Sequence, residues 1–125
     1  GGAERADSVL SGLRSLAGIA AQDDWVLVHD AARPCLPLID LQRFVDTIKA
    51  GGVGGLLAQR VSDTIKRVTK NQRVEETLDR DSLWRAQTPQ IFRWSELSSA
   101  LEQALDKGVP VTDEASAMEQ AGYDV

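Results

Sequence analysis

Trp25-Val26-Leu27-Val28-His29-Asp30-Ala31-Ala32-Arg33-Pro34 is the stretch that decides the fold. The apolar run from Trp25 to His29 suits a short strand buried on both faces, as in a parallel sheet. Asp30 follows at the carboxyl end of that strand, where open α/β sheets hold their ligands. Downstream, Pro37 opens a helix with Leu41, Phe44, Val45 and Ile48 on its inner face. Gly51-Gly52-Val53-Gly54-Gly55 then turns the chain into a second strand around Leu56 to Val61. Strand, helix and strand in that order form a βαβ unit and predict an α/β sandwich. Upstream, Ala6, Val9, Leu10, Leu13 and Leu16 share one face of a helix over Glu4 to Ala17, with Gly18 as its stop.

The segment Ser62 to Arg80 breaks this pattern. It reads as two short strands, Asp63 to Val68 and Arg73 to Asp79, joined by a polar turn at Thr69-Lys70-Asn71-Gln72. An isolated hairpin is marginal in water, so this arm is expected to lean on its parent domain or on a second subunit. Helical spacing returns with Leu97, Ala100, Leu101, Ala104 and Leu105, with Ser95 the expected N-cap and Gly108 the stop. Thr112 is the expected cap of a last helix, with Asp113 and Glu114 in its first turn and Gly122 at its end.

Length and composition set the outer limits. The 125 residues suit one domain, and 42% hydrophobic with 26% charged residues is ordinary for a globular protein. The net charge of -5 argues against nucleic acid held by bulk attraction, while a small anion can still be held by a local cluster. Cys35 is the lone cysteine, so no internal disulfide forms, as expected of a reducing, cytoplasmic setting. No apolar run approaches the ~20 residues that span a bilayer, and no signal peptide is visible. The Gly1-Gly2 start and the Asp124-Val125 end read as cuts through a larger domain.

The candidate chemistry centres on Asp30 and Arg33. A carboxylate at a strand end can hold Mg²⁺ or a ribose hydroxyl, and a guanidinium can grip a phosphate with two hydrogen bonds. Pro34 biases Arg33 toward an extended backbone. The other reading, a local ion pair at a loop, stands beside this one. Gly1 to Ser8 is a glycine pair leading into a helix, a form that can approach an anion closely; on the residues alone Ser8 is a surface serine. Thr64, Arg80 and Thr88 are candidate contacts for a phosphate or hydroxyl, although Thr64 and Arg80 also read as parts of a solvated charged arm. Trp84 is expected in the core or at an interface. His29 has no nucleophile partner and is expected to satisfy a local hydrogen bond. Zinc-ligand spacing, a P-loop and a GxGxxG string are all missing.

Four strings occur in fixed order: Gly-Gly-Ala-Glu-Arg-Ala-Asp-Ser-Val (1–9), Val-His-Asp-Ala-Ala-Arg-Pro (28–34), Leu-Trp-Arg-Ala-Gln-Thr-Pro-Gln (83–90) and Thr-Asp-Glu-Ala-Ser (112–116). Together they resemble the methylerythritol phosphate cytidylyltransferase family of the non-mevalonate isoprenoid pathway, over nearly the whole chain. The resemblance implies a Rossmann-like nucleotidyltransferase sandwich with a protruding hairpin arm. It also implies a homodimer joined through residues 62–80, and Mg²⁺-dependent transfer of CMP from CTP to methylerythritol phosphate with release of pyrophosphate. By the same resemblance Gly2, Ala3 and Ser8 sit against the cytosine. Position 3 is often Asp in the family, so Ala3 leaves only its backbone for the base. Asp30 lies near the ribose, the metal and the acceptor. Arg33, Thr88 and Thr112 face the acceptor, and Thr64 with Arg80 reach a neighbouring subunit's acceptor. The family's glycine-rich loop and its Lys-Val-Thr segment are expected before Gly1 and after Val125, so the chain by itself is expected not to turn over CTP. Two alternatives remain at this point: a cytidylyltransferase for ribitol phosphate or another polyol phosphate, and a non-catalytic oligomerisation domain of the same fold.

Overall fold

The computed structural model describes residues 4–125. Helix α1 covers Arg5–Ser15, and Glu4 caps it in a reciprocal box with Asp7. Its buried face is Ala6, Leu10 and Leu13, with Val9 and Leu16 packed at the margin, as the spacing predicts. Strand β1 is Trp25–Val28, helix α2 is Leu38–Lys49 with Pro37 as N-cap, and strand β2 is Gly54–Arg60. The arm follows as β3 (Ile65–Val68) and β4 (Val74–Leu78), then a 3₁₀ turn at Arg80–Ser82. Strand β5 is Trp84–Arg93, helix α3 is Trp94–Asp106 and helix α4 is Glu114–Gln120.

The βαβ expectation holds for direction but not for adjacency. The main sheet has the order β1-β5-β2, and β5 runs antiparallel to both neighbours. β1 and β2 therefore point the same way with β5 inserted between them. Burial of β1 on both faces also fails, since Leu27 is 43% exposed while Val26 is buried. β5 is the strand that sequence patterning does not reveal. Proline removes a ladder hydrogen bond and argues against a central strand, yet Pro89 lies within β5 and is fully buried, after a cis Thr88–Pro89 peptide bond.

Helices cover both faces of this sheet. Phe92 points to one face, where it joins Leu10 of α1, Leu97 and Leu101 of α3 and Met118 of α4. Ile91 points to the other and meets Phe44 and Ile48 of α2. Successive strand residues alternate between faces, so one dipeptide anchors both layers. Trp94 Nε1 donates to the Leu13 carbonyl and ties α3 to the end of α1. Two helix caps fall one or two residues away from their expected places. Arg93 is the N-cap residue of α3, while Ser95 Oγ donates to the Gln22 carbonyl. Asp113 caps α4 in a reciprocal box with Ser116, leaving Thr112 just outside the helix.

The arm is a separate two-stranded sheet whose register runs Ile65↔Leu78, Lys66↔Thr77 and Arg67↔Glu76. Near its tip Val68 opposes Val74, and these valines are 55% and 62% exposed. Trp84, expected in the core or at an interface, is 53% exposed in this chain, with the Arg60 guanidinium 4.6 Å over its ring centre.

Candidate functional site

The site is built where the two sheet ladders involving β5 stop in register. Opposite β2, the pairing jumps from Leu56↔Gln90 to Ala58↔Ala86, so residues 87–89 bulge against Leu57 alone. Bulges re-aim side chains and recur beside active sites. Opposite β1, the last pair is Val28↔Gln90. Beyond it a side chain continues the ladder, for the Asp30 amide donates to Thr88 Oγ1 at 3.1 Å. Thr88, 7% exposed, therefore joins the bulge of β5 to the loop that follows β1.

That loop carries the charged pair. Asp30 Oδ1 accepts from Arg5 Nη2 at 3.2 Å and from Arg5 Nε at 3.3 Å. Asp30 Oδ2 faces Arg33 Nε at 3.6 Å, an ion pair beyond hydrogen-bond reach. The Arg33 amide bonds back to the Asp30 carbonyl at 2.9 Å and closes the turn. His29 spans the same turn: Nε2 lies 2.9 Å from the Arg33 carbonyl and Nδ1 lies 3.0 Å from Thr88 Oγ1. The expectation of a local hydrogen bond for His29 is met at both ring nitrogens.

Arg5 is the residue that sequence reasoning missed. As the first residue of α1 it puts a cation at the positive end of a helix, which is unfavourable by itself. Two carboxylates offset this. Its Nη1 and Nη2 donate to the two oxygens of Glu114 at 2.6 and 3.0 Å, while its Nε and Nη2 reach Asp30. Glu114 is 1% exposed and the Arg5 side chain 38%. The bonds it donates to Glu114, more than those it donates to Asp30, raise the pKa of the Arg5 guanidinium above its ordinary value, against the burial that would lower it. Gln90, 1% exposed, completes the frame by donating to Asp113 Oδ2 at 2.9 Å and accepting from the Ala115 amide at 2.8 Å. The starts of α1 and α4 are thus tied to β5 and to the loop after β1.

Four of the expected site residues meet here. Asp30, Arg33, Thr88 and Thr112 line one open recess of about 360 Å³, together with Arg5 and Gln90. Arg33 and Thr88 also line an adjoining cleft of about 750 Å³ that runs toward Asp40 and Arg43 of α2. Both volumes suit small-molecule sites. Ser8 lies on α1, where its hydroxyl bonds the Glu4 carbonyl, and lines neither space. Gly2 and Ala3 lie outside the described residues. Thr64 and Arg80 are exposed at the arm, and Arg80 Nη1 donates to the Ser62 carbonyl at 2.6 Å. Neither lines the recess of its own chain.

A magnesium ion implied by the resemblance would find one protein ligand in this site. Among the described residues no three His, Cys, Asp or Glu side chains gather. Mg²⁺ on nucleotides commonly uses one or two carboxylates, with phosphate oxygens and water supplying the rest. Asp30 Oδ2, with no hydrogen-bond donor on it among the described residues, fits that single place.

The described helices include none long and apolar enough to cross a membrane. A family model described as 2-C-methyl-D-erythritol 4-phosphate cytidylyltransferase matches residues 1–125. Proteins of that name from Pseudomonas aeruginosa (strain UCBPP-PA14) and Azoarcus sp. (strain BH72) are 58% and 57% identical to this chain. Each match covers 98% of the chain, and 53% and 50% of those proteins respectively. The chain spans about half the length of the curated relatives it matches. Among solved structures, the Francisella tularensis protein of the same name is 41% identical with a TM-score of 0.89, over 99% of this chain and 58% of that one. The Thermus thermophilus protein of that name is 30% identical with a TM-score of 0.84, over 100% of this chain and 58% of that one.

Proposed function

We propose a function from the premise that the chain belongs to the 2-C-methyl-D-erythritol 4-phosphate cytidylyltransferase family: it supplies the acceptor-binding part of an enzyme that transfers CMP from CTP to methylerythritol phosphate. The observation that carries this reading is the convergence of Asp30, Arg33, Thr88 and Thr112 on one recess, from three separate sequence strings.

The chemistry asks little of a protein nucleophile. The acceptor phosphate is largely ionised at neutral pH, its second pKa being about 6. One of its oxygens attacks the α-phosphorus of CTP, the bond to the bridging oxygen breaks, and pyrophosphate leaves with that electron pair. The work of the chain is positioning and charge neutralisation. Arg33 offers the acceptor phosphate a fork of donors. Thr112, freed from capping α4, offers a hydroxyl from the lining of the same recess. Arg5 and Glu114 hold Asp30 in place. In this reading Asp30 supplies the one protein oxygen to Mg²⁺, which would offset charge on the triphosphate. Cytosine recognition is assigned to Gly2, Ala3 and Ser8. Thr64 and Arg80 serve the neighbouring subunit's recess in a homodimer joined by the arms. The exposed, unpaired Cys35 accords with a cytoplasmic setting.

The test is pyrophosphate release by the complete protein carrying this chain, with CTP and either methylerythritol phosphate or ribitol phosphate. Turnover selective for methylerythritol phosphate is expected. Turnover of ribitol phosphate alone would assign a different acceptor, and no turnover with either would favour an oligomerisation role. Arg33→Ala is expected to raise the acceptor KM by roughly tenfold or more, as for a lost charge-assisted contact, with the CTP affinity measured by calorimetry little changed.

A further inference from the structure

The hydrogen bonds around Thr88 decide what that residue can recognise. His29 Nε2 faces the Arg33 carbonyl oxygen at 2.9 Å, and a carbonyl oxygen can only accept. Nε2 therefore carries the proton. In the neutral ring Nδ1 is then a bare acceptor, and Thr88 Oγ1, 3.0 Å away, must donate to it. Thr88 Oγ1 also accepts from the Asp30 amide at 3.1 Å. A hydroxyl has one hydrogen and two lone pairs. The hydrogen and one lone pair of Thr88 are thus committed, and one lone pair is left. Thr88 borders both the recess and the cleft.

We propose that His29 is a positioning residue that makes Thr88 an acceptor-only group, so that Thr88 recognises a hydroxyl of the polyol acceptor and not its phosphate. An ionised phosphate has no hydrogen to give, so it cannot use the remaining lone pair. A sugar-alcohol hydroxyl can. Sites built to hydrogen-bond a substrate hydroxyl reject analogues that lack it far better than apolar pockets do. Arg33 and Thr112 are left to hold the phosphate, and the chain of bonds divides the recess into a phosphate side and a hydroxyl side. The same imidazole pins the Arg33 carbonyl, so the two halves of the acceptor are located by one ring. This assignment rests on the reading that the recess takes the acceptor.

The test uses the complete protein with His29→Gln, Thr88→Val and the double variant. Gln can keep a donor on the Arg33 carbonyl while losing the acceptor that faces Thr88. Each single variant is expected to raise the acceptor KM by roughly three- to tenfold, the effect of one hydrogen bond. The CTP KM should move little, whereas Thr88→Val, which also strips the acceptor from the Asp30 amide, should lower the thermal midpoint. Because both variants cut the same chain, the double variant should be scarcely worse than the poorer single one. Multiplying effects, or an equal rise in the CTP KM, would overturn the proposal. Thr88→Ser, which keeps the hydroxyl, should retain the acceptor KM, and its failure to do so would count equally against it. Nitrogen NMR separates this proposal from the parent reading. The His29 ring, identified by its loss in His29→Gln, should show a protonated Nε2 and a bare Nδ1 whether or not the protein uses methylerythritol phosphate. The opposite tautomer would overturn the hydrogen-bond chain even in an active enzyme. With the expected tautomer and no cytidylyl transfer, only the substrate side of the proposal falls.

Discussion

A guanidinium at the start of a helix is held by two carboxylates from distant parts of the chain. Glu114 lies 109 residues from Arg5 and is almost wholly buried. Removing the cation leaves that carboxylate buried without a partner, the costly case for an ion pair. Arg5→Met is expected to lower unfolding stability by about 2–3 kcal/mol, below the usual cost of breaking a fully buried pair because Arg5 is partly solvated. Urea denaturation of the complete protein would measure it. Arg5→Lys should recover only part of the loss, since an ammonium cannot reproduce the double-pronged contact. The upward displacement of the Arg5 pKa fixes the sign of the pH effect. A cation whose folded pKa is raised contributes stability below its unfolded value and loses it only as pH rises through the folded one. The guanidinium therefore adds no pH dependence near neutrality. Asp30, Arg33, Thr88 and Thr112 are readable in the sequence because each stands within a short string. Arg5 belongs to such a string too, but its role depends on Glu114, and local spacing carries no signal for a pair so far apart.

Among the elements, the helices are legible in the sequence and the central strand is not. The apolar positions of α1, α2 and α3 repeat at helical spacing, and the structure buries Leu10, Leu13, Phe44, Ile48, Leu97 and Leu101 accordingly. In β5 the pattern is masked because the strand does two jobs. Residues 90–92 are buried core, whereas Trp84, Arg85 and Ala86 are exposed, with a bulge at 87–89 between them. The cap of α4 falls one residue past its expected place because Thr112 and Asp113 are both good caps, and the box with Ser116 selects Asp113. The start of β2 shows how tightly β5 is seated. A Cβ on Gly54 would lie 2.1 Å from Phe92 Cδ1 and 2.6 Å from the Ile91 carbonyl oxygen. Gly54→Ala must push the strands apart and is expected to cost about 1–3 kcal/mol, as overpacking does. The denaturant midpoint should fall, whereas Gly12→Ala, where a Cβ meets nothing within 4 Å, should leave it unchanged or higher.

At the scale of the whole molecule, the arm is the part to which the proposed function gives a role outside its own chain. It pairs only with itself among the described strands, exposes Val68 and Val74, and carries Thr64 and Arg80 away from the recess. In the proposed homodimer these residues act across the two-fold axis. Two variants of the complete protein, Asp30→Ala and Arg80→Ala, should each be poorly active. Mixed dimers should regain part of the activity, because one site then combines an intact Asp30 with the partner's intact Arg80. If differential tags show mixed dimers and activity stays at the single-variant level, Arg80 does not act in trans. The strand order β1-β5-β2 has a consequence for synthesis. A ribosome releases β1 and β2 first, and their shared partner emerges only when residues 84–93 clear the exit tunnel. Until then the two earlier strands lack the partner that joins them, while the hairpin between β2 and β5 can already close on itself. Nascent chains halted before β5 emerges should exchange the amides of residues 25–28 and 54–60 freely. Chains halted after it emerges should protect both strands together, so the three described strands join in one step when β5 arrives.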